Sequence, residues 1–458
     1  MSAGQPADTP CISMDDSNSA GSKPKTGISH IRWIVCLLLF AATALIYSDR
    51  QFLSLLKSTL ALEIHWTDSQ FAMVNSFFLG AYALGLLFAG RLIDRVGVKV
   101  GYAATLLLWS IAAVCHTLVS SVSGFVFARI FLGFSEAGNF PSAIKVIALW
   151  FPSSERAFAT SICNTGANVG AIAAPLLVAW LLSHWTWHAP FLVAGGAGLA
   201  WVVLWIFFYN RPDRHGAVSP SELSLIQGGE GDRGGTQAEE SSMPVPMPVL
   251  LGLRQTWSFI VAKFLTDPVW FFLLFWLPDY FKKTRHLDIK SSWPHLMGIY
   301  ALVTLISLLG GYFPGYLLRR GWSVTRARKT ALLTYAVMVL PILAVGEAGD
   351  WTAVALIGLA GGAHQAWSSN LFTTVSDMFP RRAIATIIGI GSTAGALGGM
   401  LFQYCCGSLL DHYGPDHAGT GYLVLFAYAA FAYLTAYFFN NLLAKNYQPI
   451  PLDEARAH

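Results

Sequence analysis

Asp49, Arg50, Arg129 and Glu136 stand inside apolar runs, where charge is expensive. Asp49 and Arg50 lie between Trp33-Ile34-Val35-Cys36-Leu37-Leu38-Leu39-Phe40-Ala41-Ala42 and Phe52-Leu53-Ser54-Leu55-Leu56. Arg129 and Glu136 lie in Arg129-Ile130-Phe131-Leu132-Gly133-Phe134-Ser135-Glu136-Ala137-Gly138-Asn139-Phe140-Pro141. Apolar runs of this length read as membrane-spanning helices. An Asp or Arg near the middle of one costs about 2.5–3.5 kcal/mol on insertion scales, and such residues line cavities and mark function. A carboxylic acid in low-dielectric surroundings holds its proton more tightly than in water and can carry it. An arginine keeps its proton and forks onto carboxylates. Asp49 and Glu136 therefore read as proton carriers, and Arg50 or Arg129 as the receptor for an anion. A purely structural buried ion cluster is the competing reading.

The elements that position these groups follow from the rest of the chain. It has 458 residues, 54% hydrophobic and 12% charged, against about 25% charged in a soluble domain. This is a polytopic membrane protein. Its net charge of +4 is no nucleic-acid signature, because the basic residues fall in short loops between apolar runs. Apolar segments begin near Ile31, Phe71, Val98, Phe125, Arg156 and Ala189, and again near Trp257, Pro294, Lys329, Trp351, Ala383 and Tyr422. The expected fold is an all-α membrane protein of twelve transmembrane helices in two pseudo-symmetric six-helix bundles.

The divisions are a disordered cytoplasmic tail (1–30), an N-terminal bundle (31–209), a cytoplasmic linker (210–256), a C-terminal bundle (257–444) and a cytoplasmic tail (445–458). The first tail is rich in Ser, Gly, Pro and Asp and has no apolar core of a cleaved signal. The linker is rich in Gly, Glu, Ser and Pro, with a surface helix expected near Pro220–Gln227. The six cysteines have neither metal-ligand nor disulfide-framework spacing and read as packing residues. No metal or cofactor is called for. No nucleophile–base pair suggests an enzyme, and no G-x-x-x-x-G-K-[ST] loop suggests ATP-driven transport.

Most of the 29 Lys and Arg fall on the side of the N-terminus, while Lys57, Lys282, Lys283, Arg285 and Lys290 fall on the other. That bias places both termini and the linker in the cytoplasm of a multi-pass inner-membrane protein. Arg50, Arg129, Lys145 and Lys263 lie within apolar runs, the two lysines near inner ends where they snorkel or pair. Phe151-Pro152 with Arg156-Ala157-Phe158-Ala159-Thr160 is echoed half a chain later by Phe379-Pro380 with Arg382-Ala383-Ile384-Ala385-Thr386. Six-helix repeats of this kind bracket a substrate site near the bilayer midplane. Counting about 1.5 Å per residue from the inner ends puts Asp49 between Arg129 and Glu136 in depth.

Gly90-Arg91-Leu92-Ile93-Asp94-Arg95-Val96-Gly97-Val98-Lys99 follows the second span. Gly90 and Gly97 allow a tight turn, Asp94 can accept from basic groups, and Arg95 and Lys99 hold the loop inside. This segment resembles the signature loop of the major facilitator superfamily, departing at Val98, where that family usually has a basic residue. Tyr47-x-Asp49-Arg50 with Arg129-x3-Gly133-x2-Glu136-Ala137-x2-Phe140-Pro141 is similar to its anion:cation symporter branch, which moves organic anions with protons. The resemblance implies that Asp49 and Glu136 couple protons, that Arg50 meets the substrate carboxylate, and that Tyr47 and Tyr82 line the same cavity.

Lys263-Phe264-Leu265-Thr266-Asp267-Pro268-Val269-Trp270 and His364-Gln365-Ala366-Trp367-Ser368-Ser369-Asn370-Leu371-Phe372 resemble the hexuronate transporters of that branch. The implied function is import of glucuronate or galacturonate with protons by a monomer that rocks two bundles about the site. A symporter for an aldonate or aromatic acid is the alternative, and a non-transporting membrane sensor the remote one. A sugar acid needs donors and acceptors for its hydroxyls, for which Gln365, Ser369, Asn370, Ser392 and Thr393 are candidates. It also needs aromatic faces for its C–H surface, for which Trp270, Trp276 and Trp367 are candidates, packing or interface anchoring being their other reading. Asn164 and Asn168, one turn apart on the fifth span, either join them or glue helices together. His364 reads as a helix–helix hydrogen bond, with a proton relay as the other possibility. Asp267, before Pro268, has an open role in gating or coupling. Gly166, Gly170 and Pro175 read as close-packing and hinge residues.

Overall fold

The computed structural model describes residues 30–228 and 245–450. Expectations for 1–29, for the Gly- and Glu-rich middle of the linker and for 451–458 fall outside the described residues. Among the described residues the chain is helical, with no strand. The N-terminal half comprises α1 (Ile31–Leu55), α2 (Lys57–Ile64), α3 (Asp68–Val96), α4 (Val98–Cys115), α5 (Val122–Glu136), α6 (Asn139–Trp150), α7 (Ser153–His184) and α8 (His188–Phe208). The linker holds α9 (Pro220–Gly228) and α10 (Met247–Leu251). The C-terminal half comprises α11 (Arg254–Arg285), α12 (Ile289–Arg319), α13 (Val324–Val339), α14 (Asp350–Met378), α15 (Arg381–Tyr413) and α16 (Ala418–Leu443).

Ten segments of the described chain are long and apolar enough to cross a membrane. The other two traverses expected from sequence correspond to α5–α6, which a break divides, and to α14, whose polar residues lower its hydropathy. The break follows from Pro141, which lacks an N–H and would clash with the carbonyl one turn before it in a continuous helix. A side chain on Gly138 would come 2.3 Å from Thr105 Oγ1, so α4 lies hard against the break. Several helices start a few residues before their apolar runs: α3, α5 and α13 begin on the capping side chains of Thr67, Ser121 and Ser323, whereas α7, α11 and α12 begin without one. Thr67 and Gln70 close a capping box on α3, with side-chain contacts of 3.0 and 3.2 Å to each other's backbone N–H.

Within the N-terminal half α1 packs on α7, α3 on α5 and α4 on α8; within the C-terminal half α11 packs on α15 and α16, and α12 on α14. The halves meet through α3 with α15, α7 with α12 and α1 with α11. The two halves repeat one close approach. A Cβ on Gly170 of α7 would lie 2.3 Å from the carbonyl oxygen of Ala44 on α1, and one on Gly398 of α15 would lie 2.4 Å from that of Phe264 on α11. Gly166 meets the Phe40 carbonyl in the same way, at 2.4 Å. Glycine is required at these points because backbone faces backbone.

The signature segment differs from a simple loop. Gly90 lies inside α3, which stays helical through Val96, and the turn is made at Gly97 alone, with φ +83°. Arg95 is exposed, and Lys99 Nζ donates to Asn210 Oδ1 at 2.9 Å, tying α4 to the end of α8. The side chain of Asp94 lies outside the described residues. Helix α9 forms where a surface helix was expected, but it is docked. Its Glu222 is fully buried and accepts the N–H groups of Ile31 (3.3 Å) and Arg32 (3.2 Å) at the start of α1. Residues 445–450 fold back onto the C-terminal half, with Tyr447 N donating to Thr325 Oγ1 and Ile450 N to the Met378 carbonyl.

Candidate functional site

Asp49, Arg50, Arg129 and Glu136, singled out in sequence, converge at one place. Helix α1 carries Asp49 and Arg50, α5 carries Arg129 and Glu136, α3 supplies Phe78 and Tyr82, and α4 supplies Trp109. Arg50 Nε donates to Glu136 Oε2 at 2.5 Å, with 6% and 0% of the two side chains exposed. The Arg50 guanidinium carbon lies 4.6 Å from the ring centroids of both Tyr47 and Tyr82, and 5.7 Å from that of Phe78. The planar cation is thus held by aromatic faces as well as by a carboxylate.

Asp49 takes a different partner. Its Oδ2 accepts from Trp109 Nε1 at 3.1 Å, and its Oδ1 is buried with no hydrogen-bond partner among the described residues. Arg129 is fully buried, its guanidinium carbon 5.5 Å from the Phe78 ring centroid, and its three side-chain nitrogens likewise meet no partner. Glu136 Oε1 is in the same condition. Buried polar groups are normally satisfied, and exceptions need a reason. Here donors and acceptors sit beside one another without being consumed, which suits groups that change partners. The close fit of α5 on α3 holds them there: a Cβ on Gly133 would lie 2.5 Å from the Phe78 carbonyl oxygen. Ser48 Oγ and Gln51 Nε2 donate to the carbonyls of Gly170 and Ala171, at 3.1 and 3.3 Å, and fix α1 on α7.

The other candidates divide. Tyr47, Tyr82, Asn168, Trp270, Gln365 and Thr393 are half-buried, while Asn164 and Ser369 are exposed. Trp270 stacks on His364, ring centroids 5.5 Å apart, and His364 Nδ1 is 2.7 Å from the Tyr433 hydroxyl, a bond between α14 and α16. Trp367 is fully buried against Tyr433. Asn370 faces α13, where Nδ2 donates to the Arg328 carbonyl at 3.0 Å and Oδ1 accepts from Arg328 Nη1 at 3.3 Å. Trp367 and Asn370 are therefore engaged in packing within the C-terminal half rather than gathered around Arg50.

Sequence reasoning missed a second charged cluster, at the end of the molecule away from the termini. Lys57 Nζ contacts Asp68 Oδ1 at 2.6 Å and Asp279 Oδ2 at 2.9 Å. Lys283 also pairs with both aspartates, lying 3.2 Å from Asp279. Tyr422 donates to Asp279 Oδ2 at 2.6 Å, and Asp411 accepts the N–H groups of Asp68 and Ser69 at 2.8 and 2.9 Å. Lysines and aspartates from both halves alternate there. The available signal was the placing of Lys57 and Lys283 on one side of the membrane, which does not reveal pairing.

A family model described as Major Facilitator Superfamily matches residues 39–403. The chain is 29% identical over 394 residues to the "Hexuronate transporter" of Escherichia coli (strain K12), covering 84% of this chain and 89% of that one. It is 28% identical over 432 residues to a "Probable galactarate/D-glucarate transporter" of Bacillus subtilis (strain 168), covering 89% and 91%. Among solved structures, a bacterial homolog of the human lysosomal transporter Spinster, in an inward-facing and occupied conformation, shares the fold. Its TM-score is 0.70 at 17% identity, covering 92% of this chain and 98% of that one.

Proposed function

The chain belongs to the major facilitator superfamily, and from that premise we propose that it imports a sugar acid, a hexuronate foremost, in symport with protons. It is a multi-pass membrane transporter, not an enzyme. The observation that carries the proposal is Arg50, held between Tyr47 and Tyr82 and bonded to Glu136 inside an apolar bundle. A substrate carboxylate competes with Glu136 for that guanidinium. Once displaced, Glu136 is a buried carboxylate without its cation, and taking a proton relieves it. Anion and proton thus enter together. Asp49 and Arg129 stand beside the pair as a second carboxylate and cation that take part in the exchange.

The names of the relatives support the substrate class: a hexuronate in one and a six-carbon sugar diacid in the other. The two six-helix halves, 31–209 and 257–444, are the rocking bodies, and the protein acts as a monomer in the inner membrane with both termini in the cytoplasm. In the structure the halves are joined at the end away from the termini by Lys57, Asp68, Asp279 and Lys283, which supports a site that opens toward the termini. The test is uptake of labelled glucuronate and galacturonate into proteoliposomes under an imposed inward proton gradient, with an uncoupler control. Gradient-dependent accumulation is expected. No uptake of either acid by folded protein would discard the hexuronate reading and turn to aldonates and aromatic acids.

A further inference from the structure

Lys263 and Asp267 form a buried ion pair that the carboxylate chemistry above does not use. Lys263 Nζ lies 2.7 Å from Asp267 Oδ2, with 6% and 13% of the side chains exposed. The ammonium also lies 4.6 Å from the Phe372 ring centroid on α14. The two residues are one turn apart on α11, so their bond ties the helix to itself and staples no neighbour. Removing two charges from water is costly, and a well-packed apolar pair of similar shape is often as stable or more so. The pair is also unfinished. An ammonium has three N–H donors, and Asp267 Oδ1 is buried with no hydrogen-bond partner among the described residues. Glycine at 395 makes room for it, since a Cβ there would lie 2.1 Å from Asp267 Oδ2.

The repeat locates the pair. Gly170 meets the Ala44 carbonyl and Gly398 meets the Phe264 carbonyl, which equates Ala44 with Phe264. Tyr47 then corresponds to Asp267, and Arg50 to Trp270. Lys263, Asp267 and Trp270 share one face of α11, the counterpart of the face of α1 that carries Tyr47 and Arg50. Helix α11 is ringed by α1, α12, α14, α15 and α16, so Asp267 and Trp270 lie among helices of both halves.

We propose that Lys263 and Asp267, with Trp270, form a second subsite that reads the hydroxyls of the sugar tail while the carboxylate lies at Arg50. The inference rests on the sugar-acid reading above. A hydroxyl both donates and accepts. The pair offers free N–H donors on Lys263 and a free acceptor on Asp267 at adjacent atoms, which matches two neighbouring hydroxyls without breaking the ion pair. The pair is neutral as a whole, so it suits a polyol end rather than a second carboxylate. The Trp270 ring supplies an apolar face for the C–H side of the sugar. One ligand then touches both halves, which ties binding to the change in their arrangement.

The test is ligand binding to the purified full-length protein, read as ligand-induced thermal stabilisation. The ligands are galacturonate, glucuronate, a 4-deoxy analogue and a six-carbon sugar diacid. In Lys263→Met and Asp267→Asn, affinity for the two hexuronates falls about tenfold or more, and the preference over the deoxy analogue shrinks. Asp267→Asn preserves shape and serves if Lys263→Met fails to fold. Variants that bind every ligand as the wild type does would overturn the subsite. So would an equal loss for the deoxy analogue, which would mean general damage. A diacid that binds more tightly than the hexuronates, with the gap abolished in Lys263→Met, would replace the hydroxyl reading by a second carboxylate site. Wild-type protein that binds none of these acids would overturn the functional reading and the subsite with it, whereas failure of the variants alone to differ leaves the functional reading standing.

Discussion

Lys57 and Asp279 meet across the seam between the two halves, Nζ 2.9 Å from Oδ2, each side chain 6% exposed. Lys57 follows the first span of the N-terminal half, and Asp279 lies near the end of the first span of the C-terminal half. Asp68 and Lys283 complete an alternating cluster around them. Aromatic faces line the same seam: Lys57 Nζ is 4.7 Å from the Phe71 ring centroid and 4.3 Å from that of Trp276, whose indole N–H donates to Gln403. Transport by alternating access must part these groups at each cycle.

Asp279→Asn is expected to loosen that seam. Breaking a buried pair by removing one partner costs about 3–5 kcal/mol, and Lys57 recovers part of this through Asp68. Cys406 is fully buried beside the seam, where a Cβ on its neighbour Gly407 would lie 2.6 Å from the Asp68 carbonyl oxygen. In a Cys405→Ser background, Cys406 should react with a thiol reagent about tenfold faster or more in Asp279→Asn, each tenfold being about 1.4 kcal/mol. An unchanged labelling rate would remove the pair from the closure.

Arg50→Lys is expected to behave as a loss, not as a conservative change. The guanidinium bonds Glu136 while its plane is flanked by Tyr47 and Tyr82. A lysine ammonium is a point charge that cannot fork onto a carboxylate. Binding of galacturonate should weaken about tenfold or more in Arg50→Lys and become undetectable in Arg50→Ala. Calorimetric titration checks this, and wild-type affinity in either variant would take Arg50 out of the site.

Glu136→Gln should separate binding from coupling. The amide still occupies the place opposite Arg50, so substrate exchange between equal pools on the two sides continues. It cannot carry the proton, so accumulation against a gradient stops, and uptake no longer rises as the outer pH falls. Parallel counterflow and uphill-uptake assays are the measurement. Uphill uptake at the wild-type level would move the coupling role to Asp49.

Much of this was legible in sequence, for identifiable reasons. Asp49, Arg50, Arg129 and Glu136 stand out because charge in an apolar run is rare and costly, and the structure brings all four together. The spans follow from hydropathy to within a few residues, the error being a polar first turn that hydropathy passes over, capped by Thr67 on α3 and uncapped on α12. What hydropathy does not supply is which face of a span meets which neighbour. Trp367 and Asn370 share a polar-aromatic string with Gln365 and Ser369, yet they turn into the packing around Tyr433 and Arg328. Gly90 reads as a turn residue because glycine permits one, but the hydrogen bonds of α3 continue through it. Lys57 and Asp279 are far apart in the chain, and no local pattern announces their contact. Glu222 lies in a stretch whose composition marks a linker, and composition is silent about one buried carboxylate.

That carboxylate gives the last prediction. The start of α1 has no side-chain cap of its own from His30, so its first N–H groups need outside acceptors. Glu222 supplies them from α9, accepting from Ile31 N and Arg32 N, and also from Arg32 Nη1 at 3.0 Å. Arg32 Nε in turn donates to Glu155 on α7, at 3.0 Å. The negative charge also complements the positive end of the α1 dipole. Glu222→Ala leaves these donors buried without that acceptor, at a cost of about 1–3 kcal/mol. The thermal midpoint of the purified protein should fall measurably, and Glu222→Gln, which keeps an acceptor oxygen but loses the charge, should fall less. Galacturonate affinity should stay near wild type in both, because Arg50 lies at the far end of α1. A Glu222→Ala protein as stable as wild type would mean that α9 merely rests on the bundle and does not brace the first helix.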